Sequence, residues 1–459
     1  MKWRVVMTVC FVLTLFAGFA YLYVNTFVRK HQHAVILFVV NGLDLNTLNM
    51  ARRQAAHAPL QGEVDDPLIG DARRRVAYRT SILNLDLFWD IALLGIQQPG
   101  QPVPDEGADA TALACGQRVE NGFVAMNNRK EALKSLIYAA EQAGRATGLV
   151  TTSSLVQPTP VAFYSTVDGK PDPYRNAGDL LYSDINIVLG GGEQYFLPAN
   201  STNELGRRDG RNLLDEAKGR GYTLVHTREE LNNVSTWRTR QLFGIFAPDQ
   251  FYFAALRPEH SRQPSLVEMT RVAISSLNYN IGGYFLVVEH GLVARAAGQN
   301  LSNLAVNEVA EVDEAIQSAV EYAGPDALVV VTNSYSLGAV GSLPTPTTAD
   351  LVASPETIEA VPRGAAKPAP PPPQPAWLTG PGGPVLTRPQ ATWLRQHYDN
   401  GSFSTNAPGL LQPQPAFRFQ TQALPTADSA WVASRGEGSN QLRGFFNNTD
   451  VFEIISEQF

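Results

Sequence analysis

VPDEGADATALACG, residues 103–116, sets Ala108, Ala110, Ala112 and Ala114 close behind an acidic pair, Asp105-Glu106. So small a run reads as a helix packed tightly against a sheet, with Gly116 closing it. The first N–H groups of a helix are unpaired and its dipole is positive there, so the acidic pair has a bland reading as charges that complement a helix start.

Outward from this helix, apolar β-branched runs alternate with amphipathic segments. The pattern predicts an α/β fold, a mostly parallel central sheet covered by helices on both faces. The predicted strands are 35–40, 147–152, 185–190, 222–225, 243–246, 284–289 and 327–332. Helical spacing predicts a helix over 130–144, closed by Gly144, and another over 307–324, with Val309, Val312, Ile316 and Val320 on one face before Gly324-Pro325.

At the N-terminus, Lys2 and Arg4 precede the uncharged stretch 5–24, VVMTVCFVLTLFAGFAYLYV. Its length matches the roughly 20 residues that cross a bilayer. The expectation is an uncleaved signal-anchor with the chain after residue 30 on the periplasmic or extracellular side. A cleaved signal peptide is the alternative, since Gly18-Phe19-Ala20 offers a small-x-small site. Prolines cluster from about 338 to 425, including AAKPAPPPPQPAW at 365–377, and this segment reads as a Pro/Gly-rich insertion with a polyproline II stretch rather than more sheet. The expected organisation is a membrane anchor at 1–30, a core at 31–337, the insertion at 338–425 and a return to the core at 426–459.

Net charge is −7 with the basic residues scattered, which argues against a nucleic-acid partner. The two cysteines, Cys10 in the apolar run and Cys115 in the small-residue helix, predict neither a disulfide nor a thiolate metal site. The histidines, His31, His33, His57, His226, His260, His290 and His397, show no i,i+4 pair and no familiar metal spacing. His290, beside Glu289 at a predicted strand end, reads as a hydrogen-bonded histidine at the rim of a site.

Several segments in fixed order resemble the alkaline phosphatase family. VILFVVNGLDLNTLNMARR (35–53) resembles its first strand and helix, and the opening stretch resembles its Asp-Ser-Ala-Gly-Thr-Ala-Thr-Ala segment. TGLVTTSSLVQPTPVAFYS (147–165), DINIVLGGGEQYFLP (184–198), SLVEMTRVAISSLNYNIGGYFLVVEHG (265–291) and GSNQLRGFFNNTDVFEII (438–455) resemble later segments of the same family. The resemblance implies phosphate monoester hydrolysis by a serine nucleophile between two zinc ions, with a magnesium ion close by.

Carried over position by position, it implies a degenerate member. The nucleophile position holds Glu106, a carboxylate that cannot become an alkoxide and that repels phosphate. Positions of metal ligands hold Asn41, Ala294, Gly298, Ser334, Tyr335 and Leu424; the phosphate-gripping arginine corresponds to Ser154. Zinc requires imidazole, thiolate or carboxylate donors, so zinc is not expected. Asn41, Thr159 and Glu289 match what would remain of a magnesium site, against the simpler reading that Thr159 and Glu289 only hydrogen-bond.

The leading expectation is a membrane-anchored, exported pseudophosphatase without cofactor, acting as a scaffold or binding protein toward a protein partner or as a homodimer. The alternative is a divergent metal-dependent phosphomonoesterase with a remodelled single-metal site at Asn41, Thr159 and Glu289 and Glu106 as base or nucleophile. A third reading takes Asp105, Glu106 and Glu289 as an acidic cluster for a neutral or cationic ligand, unless Arg295 folds inward to neutralise it.

Overall fold

The computed structural model describes residues 2–23, 34–57, 83–96, 103–200, 204–258, 261–335, 340–342, 375–380, 416–419 and 430–459. Its strands are β1 Ala34–Asn41, β2 Asp90–Gly95, β3 Phe123–Val124, β4 Ala146–Ser154, β5 Val167–Asp168, β6 Ile187–Gly191, β7 Thr223–Val225, β8 Leu242–Ile245, β9 Tyr284–His290, β10 Leu328–Ser334, β11 Val340–Ser342, β12 Pro375–Gly380, β13 Ala416–Phe419, β14 Ala430–Arg435 and β15 Gly444–Asn447. Ten form one sheet in the order β15-β2-β14-β10-β1-β9-β4-β6-β8-β7. Every pairing in it is parallel except those of β14, which runs against β10 and β2.

β1 lies at the centre, buried along its whole length. Because side chains alternate across a strand, Ile36, Phe38 and Val40 enter one hydrophobic core and Val35, Leu37 and Val39 the other. The first core is covered by α2 (Leu45–His57), α8 (Arg228–Asn232), α9 (Leu266–Leu277), α10 (Leu292–Gly298) and α11 (Ser302–Ala323). The second is covered by α3 (Glu106–Cys115), α4 (Leu136–Gln142), α5 (Pro158–Val161), α6 (Pro173–Leu181), α7 (Leu213–Gly219) and α12 (Asp450–Ser456). The expected three-layer α/β architecture and all seven expected strands are present, within two residues at their ends.

α3 is the helix of the opening stretch. Asp105 caps it by accepting from Ala108 N at 2.8 Å, and the left-handed Gly116 ends it. Asp105 also accepts from Gly122 N at 2.6 Å, so the first acid of the pair is committed to local backbone.

Several expectations are corrected. The helix expected over 130–144 is α4, Leu136–Gln142: Ser135 caps it, and Ala132 forms a β-bridge to Met126 instead. The helix expected over 307–324 begins earlier, at Ser302. The 338–425 segment contains some sheet, since β11, β12 and β13 form a three-stranded unit; the polyproline stretch before residue 375 lies outside the described residues. Residues Lys2–Tyr23 form one helix, α1, but among the described residues no helix is long and apolar enough to cross a membrane. Cys10 and Cys115 are both free, as expected.

β1 ends at Gly42, whose φ of +86° suits glycine and whose N–H donates to Ser334 O at 3.2 Å. A methyl group there would come within 2.6 Å of the Ala294 backbone, so β1 and α10 meet nearly backbone to backbone. Gly42→Ala is expected to destabilise the fold by about 1–3 kcal/mol, read as a lowered midpoint in urea denaturation; an unchanged midpoint would show that this contact gives way easily.

Candidate functional site

The C-terminal ends of the parallel strands carry the polar residues, as open α/β sheets usually arrange. β1 delivers Asn41, β4 delivers Thr151 to Ser154, β9 delivers Glu289 and His290, and β10 delivers Ser334. Register sets the neighbours: Asn41 lies opposite Ser334, and Thr151 opposite Glu289. From the second helical layer, the first residue of α3, Glu106, and Thr159 of α5 reach the same point.

Four expected residues converge there. Asn41 Nδ2 lies 2.9 Å from Thr159 Oγ1, 3.2 Å from Glu289 Oε1 and 3.4 Å from Glu106 Oε1. Thr159 Oγ1 in turn donates to Glu106 Oε1 at 2.9 Å. Thr151 donates its hydroxyl to Glu289 Oε2, and Ser153 Oγ donates to Glu289 Oε1 at 3.3 Å. Asn41, Thr159 and Glu289 are almost fully buried. The expected set is therefore assembled, and an amide joins it in place of a direct bond between Thr159 and Glu289.

The positions that the resemblance implies for zinc ligands are built otherwise. Ala294 and Gly298 are buried on α10 and offer no donor atom in their side chains. Ser334 Oγ donates to Asp109 Oδ2 at 2.9 Å, Tyr335 N donates to the same oxygen at 2.8 Å, and Asn448 Nδ2 donates to Asp109 Oδ1 at 2.8 Å. The sequence reading missed Asp109. Its signal was available, because a lone acid inside a small-residue helix against a sheet must find donors in the core. Leu424 lies outside the described residues. Among the described residues, no group of three His, Cys, Asp or Glu side chains converges in a way that could hold a metal, and the residues at these positions do not fit zinc.

Over residues 32–357, more than two thirds of the chain, the sequence matches the family described as alkaline phosphatase. The chain belongs to the alkaline phosphatase family. It is 32% identical over 248 residues to alkaline phosphatase 4 of Bacillus subtilis (strain 168), covering 52% of this chain and 50% of the relative. It is 30% identical over 332 residues to the repressible alkaline phosphatase of Saccharomyces cerevisiae, covering 66% of this chain and 55% of the relative. The chain thus spans about half the length of these curated relatives. In fold it is similar to the alkaline phosphatase of the Antarctic bacterium TAB5, with TM-score 0.64 at 19% identity over 93% of this chain and 97% of that one. The Thermus thermophilus alkaline phosphatase gives TM-score 0.66 at 22% identity over 95% and 94%.

Other expected members of this alkaline phosphatase-fold site are displaced from it. Ser154, at the expected arginine position, is fully buried with no hydrogen-bond partner for its hydroxyl, tight against Gly192. Arg295 is exposed on α10, its guanidinium 5.1 Å from the Phe253 ring and 3.5 Å from Phe251 O, so it does not fold inward onto the carboxylates. His290 is not at a rim: it is fully buried, Nδ1 2.9 Å from Thr152 Oγ1 and Nε2 3.1 Å from Glu308 Oε2. Glu308, which the sequence reading also missed, accepts from Ala254 N at 2.6 Å and ties α11 to the chain before α9. His226 pairs with Glu193 at 3.6 Å, outside this cluster. The His57 side chain and His31, His33, His260 and His397 lie outside the described residues.

Burial governs the electrostatics. It pushes Glu289 up to about 7, with Thr151 opposing and the charge of Glu106 adding. Glu106 is raised by the same desolvation, opposed by its bonds from Thr159 and aided by Asp105. Asp109 is raised by burial against the bonds from Tyr335, Ser334 and Asn448. A carboxyl that is more basic folded than unfolded binds extra protons in the native state, so it contributes stability at low pH that is lost as pH rises. Stability is therefore expected to fall from about pH 4.5 to about 7, where the unfolded chain has released the proton that folded Glu289 still holds, and to level off above that. The fall is at most about 1.4 kcal/mol per pH unit for each such group. Urea midpoints measured across that range should flatten in Glu289→Gln; an equally steep profile in the variant would assign the slope to other groups.

Proposed function

We propose that this alkaline phosphatase-family chain does not run zinc-dependent phosphate ester hydrolysis and acts as a scaffold or binding protein on that fold. One observation carries the reading: Ser334 and Tyr335, where the family resemblance calls for metal ligands, both turn their donors onto the buried Asp109. Hydrolysis of the family type needs an activated nucleophile and positive charge around the phosphate. Here the nucleophile position is a carboxylate already held by Thr159, and no cationic side chain bonds the cluster of Asn41, Glu106 and Glu289 among the described residues. A protein partner or a second copy is the proposed counterpart. In support, Trp89, Ile91, Leu93 and Phe445 are exposed at the β2–β15 edge, with Phe445 opposite Leu93 in register.

The convergence of Asn41, Thr159 and Glu289 favours the second reading, a phosphomonoesterase with a single metal at these residues. Against it, the amide nitrogen of Asn41 faces the shared oxygens, and nitrogen carrying two protons is no ligand for a cation.

p-Nitrophenyl phosphate turnover by the full chain, with zinc and magnesium added, is the deciding experiment. The expected result is background turnover for the wild type and also for Glu106→Ser, since restoring the hydroxyl leaves Ala294, Gly298, Ser334 and Tyr335 unchanged. Zinc-dependent turnover by either protein would contradict the proposal, and turnover abolished by both EDTA and Glu106→Ala would establish the second reading.

Membrane attachment through residues 5–24, with the rest of the chain exported, completes the proposal. α1 exposes Phe11, Leu13, Phe16 and Phe19 over half or more of their surface, which an apolar environment stabilises better than water. The full chain should sediment with membranes and a chain lacking residues 1–30 should not; equal recovery of both in the soluble fraction would sink this part.

A further inference from the structure

The cluster at the end of β1 disagrees with the cation chemistry of the family, and the disagreement has a physical content of its own. Three oxygens converge on one point: Thr159 Oγ1, Glu289 Oε1 and Glu106 Oε1 all lie within 3.4 Å of Asn41 Nδ2. Converging hard oxygens from two carboxylates and a hydroxyl are what a small divalent ion seeks. The centre is taken by a neutral NH2 group.

The orientation of that amide follows from its neighbours. Thr159 Oγ1 spends its only proton on Glu106 Oε1, at 2.9 Å, so it faces Asn41 with a lone pair. Thr151 and Ser153 spend theirs on Glu289. With both carboxylates ionised, the amide turned over would set Oδ1 against two carboxylate oxygens and a spent hydroxyl, with no donor among them. As it stands, one proton of Nδ2 serves Thr159, which passes the polarisation on to Glu106, and the other serves Glu289. Both carboxylates are satisfied through a single side chain, while Asn41 Oδ1 stays buried with no partner on its far side.

The elements joined in this way are distant in sequence. Asn41 ends β1, Glu289 belongs to β9, Glu106 begins α3 and Thr159 lies in α5. A buried donor shared among them supplies the local polarity that the two carboxylates need once water is excluded.

We infer that the Asn41 amide takes the cation's place, bracing β1, β9, α3 and α5 by hydrogen bonds so that the chain folds and holds its site without metal. This rests on the reading that no zinc or magnesium resides here. An ion at magnesium distances, about 2.1 Å from its oxygens, would have to displace the NH2 group and break both of its bonds at once. Asn41→Asp makes the opposite site: a third carboxylate against two others, with no donor left at the centre, repels them unless a cation enters.

Thermal melting and isothermal titration on the full chain, in EDTA and then in Mg2+ or Mn2+, test the inference. The wild type is expected to shift by less than about 1 °C between these conditions and to give no stoichiometric heat. Asn41→Asp is expected to melt lower in EDTA and to regain at least about 3 °C in saturating Mn2+. Asn41→Ala should melt lower than the wild type and stay unresponsive to cations. Stoichiometric cation uptake by the wild type overturns the inference even if Asn41→Asp does not fold, and so does an Asn41→Ala melt equal to the wild type's. The failure of the functional reading is distinct: turnover by the wild type in EDTA would remove the binding-protein proposal and leave the brace standing, whereas cation uptake without turnover would do the reverse.

Discussion

A carboxylate taken out of water must receive charge or hydrogen bonds, and that demand organises the whole C-terminal edge of the central sheet. Glu289 and Asp109 are buried there and Glu106 is partly buried, yet the partners they find are neutral donors. Asn41, Thr151 and Ser153 serve Glu289; Thr159 serves Glu106; Ser334, Tyr335 N and Asn448 serve Asp109. Neutral donors stabilise a buried carboxyl less than a cation does, which is why burial still leaves Glu106, Glu289 and Asp109 with raised pKa values.

The fold makes this arrangement rigid. β1 is buried throughout and pairs with β9 on one side and β10 on the other, so Asn41 is placed with little freedom beside Ser334 and near Glu289. Gly42 then turns against the Ala294 backbone, and the buried His290 and Glu308 link the end of β9 to α11. The polar groups at these strand ends are thus taken up by packing and hydrogen bonds among the described residues. Asp105, half of the acidic pair that opens α3, is spent as a cap, so its charge supports the helix more than the site.

Legibility in the sequence followed burial. Strands buried on both faces read as apolar runs, and β1, β4, β6, β8, β9 and β10 were all visible in this way; β7, whose Thr223 is exposed, was read only from the short apolar run at 222–225. β2, β14 and β15 were not. β2 exposes Ile91 and Leu93 on one face, β14 runs antiparallel through the mixed sequence AWVASR, and β15 is only four residues long. The start of α4 was misplaced because helical spacing runs on through residues before Ser135, where the cap ends it. In the site, Asn41, Glu106, Thr159 and Glu289 were legible through the order of family-like segments. Asp109 and the His290–Glu308 contact were not, since each depends on partners far away in the chain. Ser154 shows the limit of position-by-position carry-over, because the structure buries it against Gly192.

The central claim is that an amide nitrogen sits where a cation would otherwise bind. Crystals of the full chain grown in millimolar Mn2+ test it most directly, through anomalous scattering at the manganese edge. The account predicts no anomalous peak between Asn41, Glu106, Thr159 and Glu289, with the amide still within hydrogen-bond distance of Thr159 and Glu289. A manganese peak bonded to Glu106 and Glu289, with the amide displaced, would contradict it.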